Sequence, residues 1–193
     1  TVSRRVHGLM NEQQIDILDH LSNTMRGMER YGAADRYQLT ALQLRERIYG
    51  TDTMEILPAL YKFARWLRSA YRFQEERDQY TRAMTIIRDN VSESSLEIVF
   101  PLRAIGNSFR IQKYAEGRGI GALRRALEIT QAQEQPDRLT IAGILVDIGD
   151  WSVAFSKVGP TGDEYRQAWE LLGDLENGDD LRAAWFDDPT YVL

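Results

Sequence analysis

The chain has 193 residues, 43% of them hydrophobic, a formal net charge of −5 and no cysteine. This length suits one domain with a sizeable interior or a short repeat array. The lack of cysteine excludes disulfides, thiolate metal sites and a cysteine nucleophile, and it fits a reducing cytosol and a bacterial periplasm alike.

Nothing approaches the roughly 20 apolar residues a helix needs to cross hydrocarbon, so membrane insertion is not expected. An acidic balance argues against general nucleic-acid binding, whose affinity comes from neutralising phosphates. The charge is uneven. Residues 103–125 carry Arg103, Arg110, Lys113, Arg118, Arg124 and Arg125 against Glu116, whereas residues 163–188 carry nine carboxylates against Arg166 and Arg182. The opening Thr1-Val2-Ser3-Arg4-Arg5-Val6 has positive charge but no apolar run after it. A start without Met and the stop at Leu193 suggest a segment of a longer protein, with a removed leader left open.

In chain order, residues 1–11 show no period and read as an irregular arm. Asn11 followed by Gln14 has capping-box spacing, which starts a helix near residue 12. Ile15, Leu18, Leu21, Met25 and Met28 fall on one face, Gly32 breaks the run, and a second stripe, Ala34, Tyr37, Ala41, Leu44 and Ile48, ends at Gly50. A second unit, 51–93, opens at Asp52-Thr53-Met54-Glu55 and carries Ile56, Leu60, Phe63, Ala64 and Leu67. After a turn at Tyr71-Arg72-Phe73 it continues with Tyr80, Ala83, Ile86 and Ile87 to Asn90.

The third unit, 94–135, starts at Ser94-Ser95-Leu96-Glu97. Pro58, in the first turns of its helix, fits a start a residue or two late, and Pro101 predicts that its helix is distorted or begins late. The fourth, 136–173, starts at Pro136-Asp137, breaks at Gly159-Pro160 and restarts at the capping box Thr161-Gly162-Asp163-Glu164. Residues 174–193 read as an acidic cap, with a short helix over Leu181 to Phe186, followed by a tail. No strand pattern appears.

Two columns run through these units. Ala41, Ala83, Ala126 and Ala168 recur at steps of 42, 43 and 42; Ser22, Ala64, Gly106 and Gly149 recur at 42, 42 and 43, each after an apolar residue. Small residues inside an apolar helical stripe permit close helix contact, because a branched side chain would hold the neighbouring backbone away. Such hairpins bury their apolar faces by stacking on one another.

Tyr80-Thr81-Arg82-Ala83-Met84 and Tyr165-Arg166-Gln167-Ala168-Trp169, closing hairpins whose first helices carry a small residue after Leu or Phe, resemble the tetratricopeptide repeat. The 42-residue spacing, with Gly50-Thr51-Asp52 placed as an extended linker, is similar to the kinesin-light-chain subtype rather than the usual 34-residue form. Coverage is 12–173. Tyr71 stands where a turn glycine is usual, and the third unit is one residue longer. The resemblance implies an all-α, right-handed superhelical array of about four antiparallel hairpins, an α-solenoid, acting as a non-enzymatic scaffold.

Candidate chemistry is sparse. Gly117-Arg118-Gly119-Ile120-Gly121 is no phosphate loop, since it lies early in a second helix with no preceding strand; it reads as a locally weak or kinked helix. His7 and His20 lack triad or metal spacing. Asp16 and Asp19, a helical turn apart, read as a solvated acidic face. No cofactor or metal is expected, and no convergent set of titratable groups suggests catalysis.

The resemblance places first helices along a concave groove. Four residues after the small column stand Arg26, Arg68 and Arg110; one after it, Asn23, Arg65, Asn107 and Asp150; three before it, Asp19, Tyr61, Arg103 and Val146. Arginine offers a planar fork to carboxylates, and asparagine pairs both ways with an extended backbone. The expected peptide-binding set is therefore Asn23, Arg26, Tyr61, Arg65, Arg68, Arg103, Asn107 and Arg110. The expected partner is a protein or peptide segment with acidic groups, and open end hairpins leave self-association available. A hydrated surface, or pairing of these arginines with glutamates within the array, is the plainer alternative. A different reading makes the chain an accessory part of a larger envelope or signalling protein. Its closing Trp185-Phe186-Asp187-Asp188-Pro189-Thr190-Tyr191-Val192-Leu193 is similar to exits from helical repeats into a further domain, such as the TonB type.

Overall fold

Apolar residues at steps of three and four give a helix one sticky face, and punctuation every 15 to 20 residues makes each helix turn back on the last. The structure, a computed structural model, describes residues 12–113, 117–155 and 163–186. All regular structure among them is helical. The helices are α1 (Glu12–Gly27), α2 (Tyr31–Tyr49), α3 (Leu57–Ser69), α4 (Phe73–Asn90), α5 (Val99–Ile111), α6 (Arg118–Gln131), α7 (Arg138–Phe155), α8 (Asp163–Gly173) and α9 (Gly178–Trp185). The chain divides into two compact units at Asn90–Val91. The arm at 1–11 with its Asn11 cap, the break at Gly159-Pro160, the cap residues Thr161 and Gly162, and the tail from Asp187 lie outside the described residues.

Unit one contains the hairpins α1/α2 and α3/α4. Ala34, Ala41, Ile56, Leu60, Ala64, Leu67, Ala83 and Ile87 are all fully buried there. Ser22 is buried as well, and its hydroxyl donates to the Ala34 carbonyl at 3.0 Å, tying α1 to α2. The first break is displaced from its expected place. Gly32 sits inside the first turn of α2 with nothing near it, and the chain reverses at 28–30 instead, leaving Met28 in the turn and exposed.

The device that makes the reversal is a left-handed residue after the helix. Glu29, Tyr71 and Lys113, at steps of 42, have φ of 59°, 59° and 55°. The following amides reach back five residues, Arg30 to the Met25 carbonyl at 2.8 Å and Arg72 to that of Leu67 at 2.9 Å, which satisfies carbonyls the helix end would orphan. Glycine is the usual occupant; a side chain there costs about 1 kcal/mol.

Unit two contains α5/α6, α7/α8 and α9. The prolines act as expected: a 3₁₀ turn, Met54–Ile56 or Leu96–Ile98, precedes each late-starting helix, with Pro58 and Pro101 in the first turn. Asp137 caps α7, accepting from the Leu139 and Thr140 amides at 3.3 and 3.1 Å. The short last helix begins earlier than expected, at Gly178, and its following Phe186 packs beside Tyr165, Ala168 and Leu172 in one apolar cluster.

The alanine column is fully buried throughout: Ala41, Ala83, Ala126 and Ala168 each lie on the second helix of a hairpin with no exposed surface. The glycines of the other column have specific neighbours. A Cβ at Gly106 would stand 2.5 Å from Leu123, and one at Gly149 2.6 Å from the Tyr165 ring. Gly119 is likewise buried, beneath Trp151 and Phe109. This glycine is kept for close packing, a reason the local sequence does not reveal.

Candidate functional site

In unit one the expected site residues lie on α1 and α3. Asn23 and Arg26 are exposed on α1, and Arg65 is exposed on α3. Arg68 reaches down rather than out, its Nε donating at 2.5 Å to Glu76, a carboxylate with no exposed surface on α4. Burying that charge requires a partner this close, because an unpaired carboxylate there would lose its hydration with no return. The Tyr61 ring lies 6.0 Å from that of Tyr80. Burial raises the Tyr80 hydroxyl above its ordinary value, with Arg68 and Arg65 opposing the rise and Glu76 adding to it.

Arg26 has a different setting. Its guanidinium lies 5.3 Å over the Trp66 ring, and Nη1 donates to the Ser69 hydroxyl at 3.5 Å. Trp66 in turn donates its indole N–H to Asp35 at 2.9 Å, and Asp35 also accepts from Arg72 at 3.1 Å. Arg72 is held as well by Glu75, whose hydrogen bond raises the guanidinium's proton affinity and depresses the Glu75 carboxyl. These groups border a pocket of about 420 Å³ whose mouth carries Tyr31 and Tyr71.

Asp19 does not sit on a solvated face. It is 6% exposed and pairs with Arg45 of α2 at 2.7 Å and with Lys62 of α3, so it fastens one hairpin to the next. Asp16 is exposed, as expected. Lys62 stands 43 residues on, carrying the opposite charge one repeat later; that spacing was the available signal.

In unit two the three expected residues join one network. Arg103 Nε donates to Asp147 at 2.6 Å, Asn107 Nδ2 donates to the same carboxylate at 3.0 Å, and Arg110 Nε donates to the Asn107 carbonyl oxygen at 3.2 Å. Arg110 also pairs with Asp150 at 3.3 Å, and the Tyr165 hydroxyl donates to Asp150 at 2.9 Å. The Asn107 amide thus already donates and accepts within the unit. Among the described residues no three His, Asp or Glu side chains gather as a metal site would require, and no helix is long and apolar enough to cross a membrane.

Paired helices, a buried alanine on each second helix and a small residue on each first helix define a helical-hairpin repeat protein. Residues 13–89 match the family model described as Tetratricopeptide repeat, so the two hairpins of unit one carry tetratricopeptide repeats. Its fold is similar to that in the crystal structure of BtubC (BKLC) from P. vanneervenii. The TM-score is 0.60 at 16% identity, over 93% of this chain and 68% of that one. At that identity the likeness speaks for the fold alone. No curated protein matches the sequence significantly. Tetratricopeptide repeats are scaffolds for protein–protein interaction, and the chain is such a scaffold.

Proposed function

We propose that the scaffold binds acidic or carboxylate-bearing segments of a partner protein, with Asn23, Arg26, Tyr61, Arg65 and Arg68 as the binding residues within unit one and Arg103, Asn107 and Arg110 as those within unit two. The observation that carries this reading is the division of labour among the unit-one arginines. The buried anion Glu76 is met by Arg68, while Arg26, on the register of Arg68, and Arg65, on that of Asn23, are exposed and have no carboxylate partner among the described residues. An exposed guanidinium with no internal anion can take a planar carboxylate from outside.

In unit two Asp147 and Asp150 hold the arginines in fixed rotamers, which lowers the ordering cost of a further contact. Display selection of peptides on the full chain tests the proposal. Recovered sequences are expected to be enriched in Asp and Glu, with binding that weakens in salt and drops about tenfold in Arg65→Gln. Enrichment without acidic bias, or unchanged binding by Arg65→Gln, overturns it. Arg68 is unsuitable for this test because its removal breaks the ion pair to the buried Glu76.

A further inference from the structure

We propose that the pocket at the hairpin turns of unit one is a separate binding site, for an aromatic ring bearing a carboxylate on a short arm. Its volume of about 420 Å³ falls in the range of small-ligand sites. One wall is the Trp66 ring, largely buried and covered on one face by Arg26. The mouth is aromatic: Tyr31 is 61% exposed and Tyr71 82% exposed.

Tyr71 occupies a left-handed turn position with φ of 59°, a backbone conformation that disfavours any side chain relative to glycine. The matching positions at the other two turns carry the polar Glu29 and Lys113, so the turn itself does not call for a ring. An exposed aromatic side chain held in an unfavourable backbone, its ring edge-on to Phe73 and lining one pocket with Tyr31 and the buried Trp66, has the form of a flat-ring receptor.

The charges select the rest of the ligand. Asp35 is neutralised by Arg72 and the Trp66 N–H, and Arg72 is further engaged by Glu75. Among the described residues Arg26 has the 3.5 Å contact to Ser69 and its stack on Trp66, and no carboxylate partner. The lining therefore holds two guanidiniums and one carboxylate, with one guanidinium uncommitted to any anion. A cationic ligand would face both arginines; a carboxylate would complete Arg26. A ring on the aromatic wall then places its acidic arm at the guanidinium.

The site shares Arg26 with the proposed peptide face but depends on Tyr31, Trp66 and Tyr71, so the two stand or fall separately. The test uses the full chain and follows the Trp66 indole N–H signal by NMR with four probes: 3-phenylpropionate, N-acetylglycyl-L-phenylalanine, and the amide of each. Each carboxylate that binds is expected to do so about tenfold more tightly than its amide. Arg26→Gln should erase that preference. Tyr71→Gly should weaken binding about three- to tenfold while the melting temperature holds or rises, which separates loss of the wall from unfolding. Arg65→Gln should leave the titration unchanged, although it impairs the peptide face. Binding of the phenylpropionate marks a free aromatic acid as ligand, and binding of the dipeptide alone marks a chain terminus. Equal affinity for acids and amides, or wild-type affinity in Tyr71→Gly, overturns the proposal.

Discussion

The two units solve one joint with opposite signs. In unit one the first helix of the leading hairpin supplies the anion, Asp19, and the following hairpin supplies the cation, Lys62. In unit two the leading hairpin supplies Arg103 and the following one Asp147. The register is common, yet the burial differs. The Asp19 side chain is 9% exposed and Glu76 is wholly covered, whereas the unit-two carboxylates are 14% and 31% exposed; Arg68, Arg103 and Arg110 are alike, each about one-third exposed. Attraction between opposite charges depends on magnitude and separation, so a sequence can reverse a pair and keep the joint. What cannot be exchanged freely is the depth at which the charges sit.

The column facing the small residues differs as well. Gln38, Tyr80, Leu123 and Tyr165 occupy matching positions three residues before the alanines, and all four are buried. Opposite them stand Ser22, Ala64, Gly106 and Gly149, and glycine appears where Leu123 or Tyr165 fills the space against the helix backbone. Bulk alone does not set the choice, since Tyr80 holds the same position in the hairpin whose small residue is Ala64.

The largest expected effect tests the burial contrast. Arg68→Ala should lose about 3–5 kcal/mol, because it takes the 2.5 Å guanidinium partner from a carboxylate with no exposed surface. Arg103→Ala, at a more open pair, should lose about 1–2 kcal/mol. Equal losses in urea unfolding would erase the distinction between the units. Next is the size of the small residue. Gly149→Ala should cost about 2–3 kcal/mol, since the added methyl meets the Tyr165 ring, against about 1 kcal/mol for Ala64→Gly from helix propensity.

A smaller effect concerns pH. The hydrogen bond from Thr140, aided by the Thr140 and Leu139 amides and opposed by burial, holds the Asp137 carboxyl below its ordinary value. A lowered folded-state value means the contribution is present above the unfolded carboxylate range and is lost as pH falls through the folded one. Asp137→Ala should cost about 1 kcal/mol at neutral pH and reduce the acid sensitivity of unit two. A pH series of chemical denaturation checks both. The smallest effect has the opposite sign: Tyr71→Gly should stabilise unit one by up to about 1 kcal/mol by removing the left-handed strain, read as a rise in the unfolding midpoint.

The hairpin order, the buried alanine column and the delayed starts at Pro58 and Pro101 were legible along the chain because they rest on local periodicity and capping. The first turn was misplaced because Gly32 has glycine's freedom but Glu29 takes the left-handed conformation; the hydrogen bonds back to α1 decide that, and they do not need a glycine. The arginine register was legible too, but the anions beneath it were not. Asp19 reads as one carboxylate of an exposed pair until Arg45 and Lys62 arrive from other helices.

Period and residue size are properties of the chain itself, so the sequence alone determined that this protein is a repeat of helical hairpins and where the small residues must fall. Which charges are buried and paired, why Gly119 is a glycine, and that Arg26 covers Trp66 beside Tyr71 were decided only by tertiary structure. Those facts depend on contacts between residues some 8 to 45 positions apart, and solvation of a charge is set by everything packed around it rather than by its neighbours in sequence.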